Sequence, residues 1–87
     1  MLRVKVLYRT KLNMTPGKLA AQTAHAVIGL GVTDKLLRVV VLSARENKFF
    51  EAIGRHECYV VEDAGYTELE PGTVTCLAFY EEIPDEP

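Results

Sequence analysis

Hydrophobic and basic residues alternate at the start of the chain. Apolar side chains occupy every second position of Leu2–Arg9, and within the other set only Leu7 interrupts a basic row. This alternation is typical of a strand with one buried face and one charged face. The sequence therefore predicts a first strand over Leu2–Arg9.

A helix is predicted next. Thr15 has the side chain of an N-cap, and Pro16 would occupy the first helical position, where a missing N–H costs no hydrogen bond. The Ala-rich run that follows continues to about Gly29. Gly29 and Gly31 are expected to end this helix, because glycine adopts the left-handed conformation of a helix C-terminus.

The middle of the chain predicts a strand and a second helix. Arg38–Leu42 contains an unbroken run of valines, which is typical of a strand covered on both faces. Ser43 and Glu46 have the spacing of a capping box, so a helix is expected to begin there and to end near Gly54. Cys58–Val61 predicts a third strand.

A fourth strand is predicted over Thr73–Tyr80, which makes the element order strand-helix-strand-helix-strand-strand. This order favours an α/β domain with a small mixed four-stranded sheet, in which the first three strands can be parallel. We expect a single domain over residues 1–80 and an acidic tail over 81–87. Ligands bind beyond the carboxyl ends of parallel strands, which indicates residues 10–18 and 62–67 as candidate site segments.

Composition limits the class of protein. The chain has 87 residues, of which 48% are hydrophobic and 25% charged, as in one small folded domain. We find neither an apolar run long enough to span a membrane nor the apolar core of a signal peptide. Cys58 and Cys76 lack zinc-ligand spacing and are too few for a disulfide scaffold. We therefore expect a cytoplasmic protein without a metal or cofactor.

The net charge of −2 hides a strong asymmetry. Residues 1–38 carry a net charge of +6, and residues 39–87 carry −8. A basic first half suggests a surface for an anionic partner. The alternative is that folding intermixes the two halves, so that their fields cancel.

One polar stripe of the first helix is a candidate site. Lys18 stands three residues after Thr15, where a cation opposes the helix dipole at a cost of up to about 1 kcal/mol. Gln22 and His25 follow at helical spacing on the same stripe. An ammonium beside free N–H groups makes an anion site. A solvent-exposed lysine and a structural histidine are the alternatives.

A second candidate group follows the third strand. Asp63 ends that strand, where a carboxylate near a lysine suits general-base or water-orienting work; an aspartate that only begins a turn is the alternative. Thr67 and Thr73 add hydroxyl groups, and Tyr66 offers a stacking face. Thr75 is expected to be an ordinary strand residue.

The two candidate segments resemble motifs of the type-II peptidyl-tRNA hydrolases. Residues 14–26 read MTPGKLAAQTAHA, and residues 63–75 read DAGYTELEPGTVT, close to that family's D-A-G-x-T-x-hydrophobic-x-P-G-[ST]-x-T stretch. The resemblance implies hydrolysis of the ester between a peptidyl group and the 3′ end of tRNA. It also implies an active site made of five residues, which are Lys18, Gln22, Asp63, Thr67 and Thr73.

Substrate-binding residues are expected beside that active site. The basic side chains of the first half would contact RNA phosphates, and His25 and Tyr66 would line the site. The basic residues concerned are Arg3, Lys5, Arg9 and Lys11.

The chain departs from the family pattern in three ways. Tyr66 stands where the family usually has Arg, and Glu68 where it often has Gln. The region between His25 and Arg38 is shorter than in the family by more than the length of one helix. The family's C-terminal helix is also missing, which predicts an uncovered apolar sheet face and a homodimer that buries it.

Two other functions remain open at this level. A non-catalytic RNA- or protein-binding module would keep the fold and the anion site. A hydrolase of other acyl esters would use the same residues without affinity for tRNA. Retention of five polar groups in one predicted pocket favours the peptidyl-tRNA hydrolase.

Overall fold

Four strands form one mixed sheet in the computed structural model, which describes residues 1–65 and 69–84. The strands are β1 (Leu2–Arg9), β2 (Arg38–Ala44), β3 (Tyr59–Glu62) and β4 (Val74–Glu82). Their order across the sheet is β2-β1-β4-β3, with β1 parallel to β2 and β4 antiparallel to both β1 and β3. β1, β2 and β3 therefore run in one direction. The predicted α/β fold and its element order are confirmed.

The first helix has the predicted ends. A short 3₁₀ turn, Thr10–Leu12, leads from β1 towards α1 (Pro16–Leu30). The hydroxyl oxygen of Thr15 accepts a hydrogen bond from the backbone N–H of Lys18 at 3.3 Å. Gly31 ends the helix with a φ of 86°, in the left-handed region that favours glycine.

The capping box predicted for the second helix is wrong. β2 continues to Ala44, which pairs with Arg9 of β1, so Ser43 belongs to the strand. Helix α2 spans Glu46–Arg55, and its N-cap is Arg45, whose side chain makes no capping hydrogen bond. In the described parts of the chain, no helix is long and apolar enough to cross a membrane.

The two helices pack on opposite faces of the sheet and create two apolar layers. Helix α1 covers one face of the central strands, and α2 covers part of the other, where Phe49 is fully buried. The α1 layer contains Val4, Val6, Ala26, Val61, Cys76 and Ala78. The α2 layer contains Leu7, Ala44, Phe49, Ala52, Leu77 and Phe79.

Strand β2 is an edge strand, which corrects the expectation that it is covered on both faces. The side chains of Val39 and Val41 are 43% and 40% exposed. A valine run indicates extended backbone but does not reveal how many layers cover it, and both helices pack mainly over the central strands. Apolar surface therefore remains open along β2.

The sheet face beneath α2 does not leave the apolar surface that was expected. No helix follows β4 among the described residues, but the part of this face beyond α2 carries Arg3, Lys5 and Glu81, which form ion pairs. β4 itself runs two residues further than predicted, and the N–H of Ile83 donates to the carbonyl of Met1 at 2.8 Å. Residues 85–87 of the predicted tail lie outside the described residues.

Candidate active site

The first turn of α1 meets the end of β3 in a buried ion pair. Lys18 Nζ donates a hydrogen bond to Asp63 Oδ1. The two side chains are only 10% and 2% exposed. A cation at the start of a helix, which the helix dipole disfavours, is thus balanced by a carboxylate from a neighbouring strand. The two segments that the sequence indicated separately form one site.

Asp63 is fixed through its backbone as well as its side chain. Its N–H donates to the carbonyl of Thr73 at 2.8 Å, and its carbonyl accepts from the N–H of Gly72 at 2.7 Å. The N–H of Gly65 donates to Asp63 Oδ2 at 2.8 Å. Gly65 has a φ of 84°, and a Cβ there would lie 2.5 Å from the Pro71 ring, so this turn requires glycine.

The surroundings of Asp63 keep its carboxylate ionised. The hydrogen bond from Lys18 lowers the pKa of Asp63 below its ordinary value, and the N–H of Gly65 acts in the same direction. Burial opposes this shift but does not reverse it. A carboxylate of lowered pKa is a weak proton acceptor and a stable hydrogen-bond acceptor.

Gln22 connects the ion pair to β4. Its Nε2 lies 3.4 Å from Asp63 Oδ1, and its Oε1 accepts from Thr75 Oγ1 at 2.8 Å. Because the Thr75 hydroxyl is a donor to Oε1, it fixes which end of the amide faces Asp63. The thiol of Cys76 donates to the Gln22 carbonyl at 3.2 Å. Gln22 and Thr75 are both buried.

Thr75 is the site residue that sequence reasoning missed. Simple alternation along β4 puts Thr75 and Cys76 on opposite faces, yet both contact Gln22. A register shift between Val61 and Glu62 explains this, since a bulge changes the direction of the side chains beside it. The last threonine of the DAG-containing motif, Thr75 itself, was the available signal.

An open groove of about 690 Å³ lies over the ion pair. Lys18, Gln22 and the exposed His25 line one wall, and Asp63 lies at the end of the other. The ring of Tyr59 forms part of the wall and packs against α1 at Gly29, where a Cβ would lie 2.1 Å from the ring. The groove is large enough for a nucleoside-sized ligand beside the polar cluster.

The side chain of Thr73, which was predicted to join Asp63, bonds to a different residue. The hydroxyl of Thr73 donates to the carbonyl of Glu70 at 2.8 Å, so Thr73 supports Asp63 through its backbone. Thr67 and Tyr66 lie outside the described residues, as does Glu68.

Most of the basic residues predicted to bind RNA lie away from the groove. Arg3 and Lys5 bond to Glu81 at 2.7 and 3.3 Å, on the sheet face that α2 partly covers. Lys11 is exposed in the 3₁₀ turn. Of the lysines and arginines among the described residues, Lys18 is the one that lines the groove.

Arg9 has a structural role at the start of α2. Its guanidinium makes two hydrogen bonds to Glu46, at 2.9 and 2.7 Å, and a third to the carbonyl of Val74 at 2.8 Å. The hydrogen bonds from Arg9 hold the pKa of Glu46 below its ordinary value. Arg9 thereby joins β1, β4 and α2 in a bidentate arrangement.

Comparison with known proteins identifies the family of this chain. A peptidyl-tRNA hydrolase of Haloquadratum walsbyi is 39% identical, and the match covers 84% of this chain and 80% of that protein. One from Methanopyrus kandleri is 37% identical over 93% of this chain and 85% of its own length. One from Methanocaldococcus jannaschii is 31% identical over 88% of this chain and 84% of its own length. No protein-family model matches the chain.

A small α/β domain with a lysine–carboxylate pair at the carboxyl end of its parallel strands is therefore found in a chain related to these enzymes. The chain belongs to the type-II peptidyl-tRNA hydrolase family.

Proposed function

We propose that this chain hydrolyses the ester that joins a peptidyl group to the 3′-terminal ribose of tRNA. The observation that carries the proposal is the cluster of Lys18, Gln22 and Asp63 in one open groove. Curated relatives of this chain are named peptidyl-tRNA hydrolases, which supports the same reaction here. In this reaction the groove would receive the terminal nucleoside and its ester.

Lys18 and Gln22 stabilise the charge that develops on the ester carbonyl. The attack of water converts this oxygen into an oxyanion, and the ammonium of Lys18 lies at the groove to receive it. Gln22 Nε2 has two hydrogens, so the contact with Asp63 leaves a second donor for the substrate. Both donors are held in place before the reaction by Asp63 and Thr75.

Asp63 orients the attacking water. Because its pKa is lowered, it accepts a hydrogen bond from water more readily than it takes a proton. The water oxygen bonds to the carbonyl carbon, the bond from that carbon to the ribose oxygen breaks, and a proton from water passes to the ribose oxygen. The products are a free peptide and tRNA with a 3′-terminal hydroxyl. Thr67 is proposed to assist Asp63.

The test measures peptide release from an N-blocked aminoacyl-tRNA by the parent, Lys18→Ala and Asp63→Asn. We expect each variant to lose at least about a hundredfold in kcat/KM, as when an oxyanion donor is removed. Lys35→Ala is the control, because Lys35 is an exposed lysine outside the groove. A folded parent that binds tRNA but releases no peptide would instead support a binding module.

We also propose that the protein works in the cytoplasm as a homodimer. The exposed valines of β2, with Leu42 at 42% exposure, give an unpaired apolar edge that a second copy can bury. Both cysteines are free thiols, in keeping with a reducing compartment. Sedimentation equilibrium tests the dimer: Val41→Lys should shift the mass to that of the monomer, and a monomeric parent would refute it.

A further inference from the structure

A second groove, of about 510 Å³, lies on the opposite side of the sheet between β2 and α2. Basic side chains dominate it, and Glu51 is the one carboxylate among its described lining residues. The basic side chains are those of Lys5, Arg45, Lys48 and Arg55, with His56 at one end. We define these residues as the α2 groove. The α2 groove is positively charged, although most of its residues come from the second half of the chain, which is acidic overall.

The positive charge of the α2 groove is largely available to a ligand. Arg45 and Lys48 are exposed and form no ion pair or side-chain hydrogen bond with any described residue. Arg55 pairs with Glu51 at 2.9 Å but is 71% exposed, so this contact is weak and easily exchanged. Lys5 is held by Glu81 at the edge of the groove. Arg45 and Lys48 therefore face solvent without an ionic partner among the described residues.

An aromatic surface accompanies these cations. The His56 ring stacks on Phe79 with ring centres 3.9 Å apart and an interplanar angle of 7°. Phe79 is buried and His56 is exposed, so one face of the imidazole is covered and the other is open to a ligand. Cations beside an exposed ring are the combination that binds single-stranded RNA, through phosphates and base stacking.

The α2 groove and the candidate active site both begin at the end of the sheet where β1, β2 and β3 have their carboxyl ends. Arg45 directly follows β2 and Asp63 directly follows β3, and these strands run in the same direction. Three strand spacings separate β2 from β3, which is about 14 Å across the sheet. A strand of RNA that leaves the active site can cross this end of the sheet within a few nucleotides.

We propose that the α2 groove binds the phosphate backbone of the substrate RNA on the 5′ side of its 3′-terminal nucleotide. The inference rests on the proposed function for the nature of the substrate. Arg45 and Lys48 contact phosphates, and His56 stacks on a base. The groove contributes affinity for tRNA and does not contribute to the chemistry at the ester.

The test compares Arg45→Ala/Lys48→Ala with Lys35→Ala/Arg38→Ala. Both double variants lose two exposed positive charges. Arg38, however, begins β2 and so lies at the opposite end of the strands from Arg45. Binding of uncharged tRNA is measured by fluorescence anisotropy, and KM and kcat are measured with N-blocked aminoacyl-tRNA. Circular dichroism and thermal unfolding confirm that each variant is folded.

For Arg45→Ala/Lys48→Ala we expect weaker tRNA binding, a raised KM and an unchanged kcat. Because two phosphate contacts are missing, raising the salt from 50 to 200 mM should weaken tRNA binding by about tenfold less in this variant than in the parent. The control variant should bind as the parent does. Equal losses in both double variants would show a general charge effect, and no loss in either would show an empty groove; both results overturn the proposal.

The experiment separates this proposal from the proposed function. If the parent releases no peptide but its tRNA binding depends on Arg45 and Lys48, the hydrolase proposal fails and the α2 groove stands. If Lys18→Ala abolishes peptide release while the Arg45→Ala/Lys48→Ala variant behaves as the parent does, the hydrolase stands and the groove proposal fails.

Discussion

Removing one buried hydroxyl group is expected to damage both the stability and the activity of this protein. Thr75 is fully buried, and its Oγ1 donates to Gln22 Oε1 at 2.8 Å. Thr75→Val keeps the shape of the side chain but removes the donor. Gln22 Oε1 then lies in the interior without that partner, and the amide loses the contact that fixes its orientation towards Asp63.

The size of the effect follows from the burial. Leaving a buried acceptor unsatisfied costs about 1–3 kcal/mol, a large part of the roughly 5–15 kcal/mol by which a small domain is stable. A domain of this size loses about 4–8 °C in Tm for each kcal/mol. If about 1–2 kcal/mol of positioning is also lost in the transition state, kcat/KM falls by about five- to thirtyfold.

Thr75→Ser is the matched control, because it keeps the hydroxyl and loses only a methyl group worth about 1 kcal/mol. Urea unfolding gives the stability of each variant, and peptide release from N-blocked aminoacyl-tRNA gives kcat/KM. We expect the serine variant to retain most of the activity. A Thr75→Val variant as active as the parent, or equal losses of activity in the serine and valine variants, would refute this role of the Thr75 hydroxyl.

Three further outcomes follow from the structure. The pKa of Asp63 lies below its ordinary value, so its ion pair is complete above about pH 4 and is lost only as the pH falls through the lowered pKa. A pH–rate profile from about pH 5 to 7 should therefore show no acid limb from this group. An acid limb in the parent that disappears in Asp63→Asn would contradict this prediction. Gly29→Ala should displace the Tyr59 ring from the groove wall and raise KM, while the free energy of unfolding changes by less than about 1 kcal/mol. An unchanged KM would exclude a role for this wall in substrate binding. Burial raises the pKa of Cys76 to about 11, so a thiol reagent at pH 8 should modify the partly exposed Cys58 first, and mass spectrometry of the modified peptides checks the order.

Much of the fold could be predicted because its local signals agree. The alternation of β1, the Thr15 and Pro16 helix start and the Gly31 end are all local features of sequence, and the structure has each of them. Lys18 at an unfavourable helix position pointed to a carboxylate or other anion. Its actual partner, Asp63, is 45 residues away, and only the parallel arrangement of the strands made that contact predictable.

The remaining errors concern features that local sequence does not encode. The valines of β2 have the same pattern whether the strand is central or at an edge, so its exposure was not predictable. Ser43 and Glu46 fit a capping box, but pairing of Ala44 with Arg9 keeps the chain extended past Ser43. Thr75 reaches Gln22 through a bulge, which strand alternation does not reveal.

The position of β4 between β1 and β3 means that the groove depends on a strand that follows the other three described strands along the chain. Lys18 and Asp63 leave the ribosome earlier, but Thr73 and Thr75, which hold Asp63 and Gln22, arrive with β4. A nascent chain that stops short of β4 has neither the four-stranded sheet nor the hydrogen bonds that hold Gln22 and Asp63. The cluster of Lys18, Gln22 and Asp63 is therefore held in place only after β4 has been synthesised, because its supporting contacts are long-range.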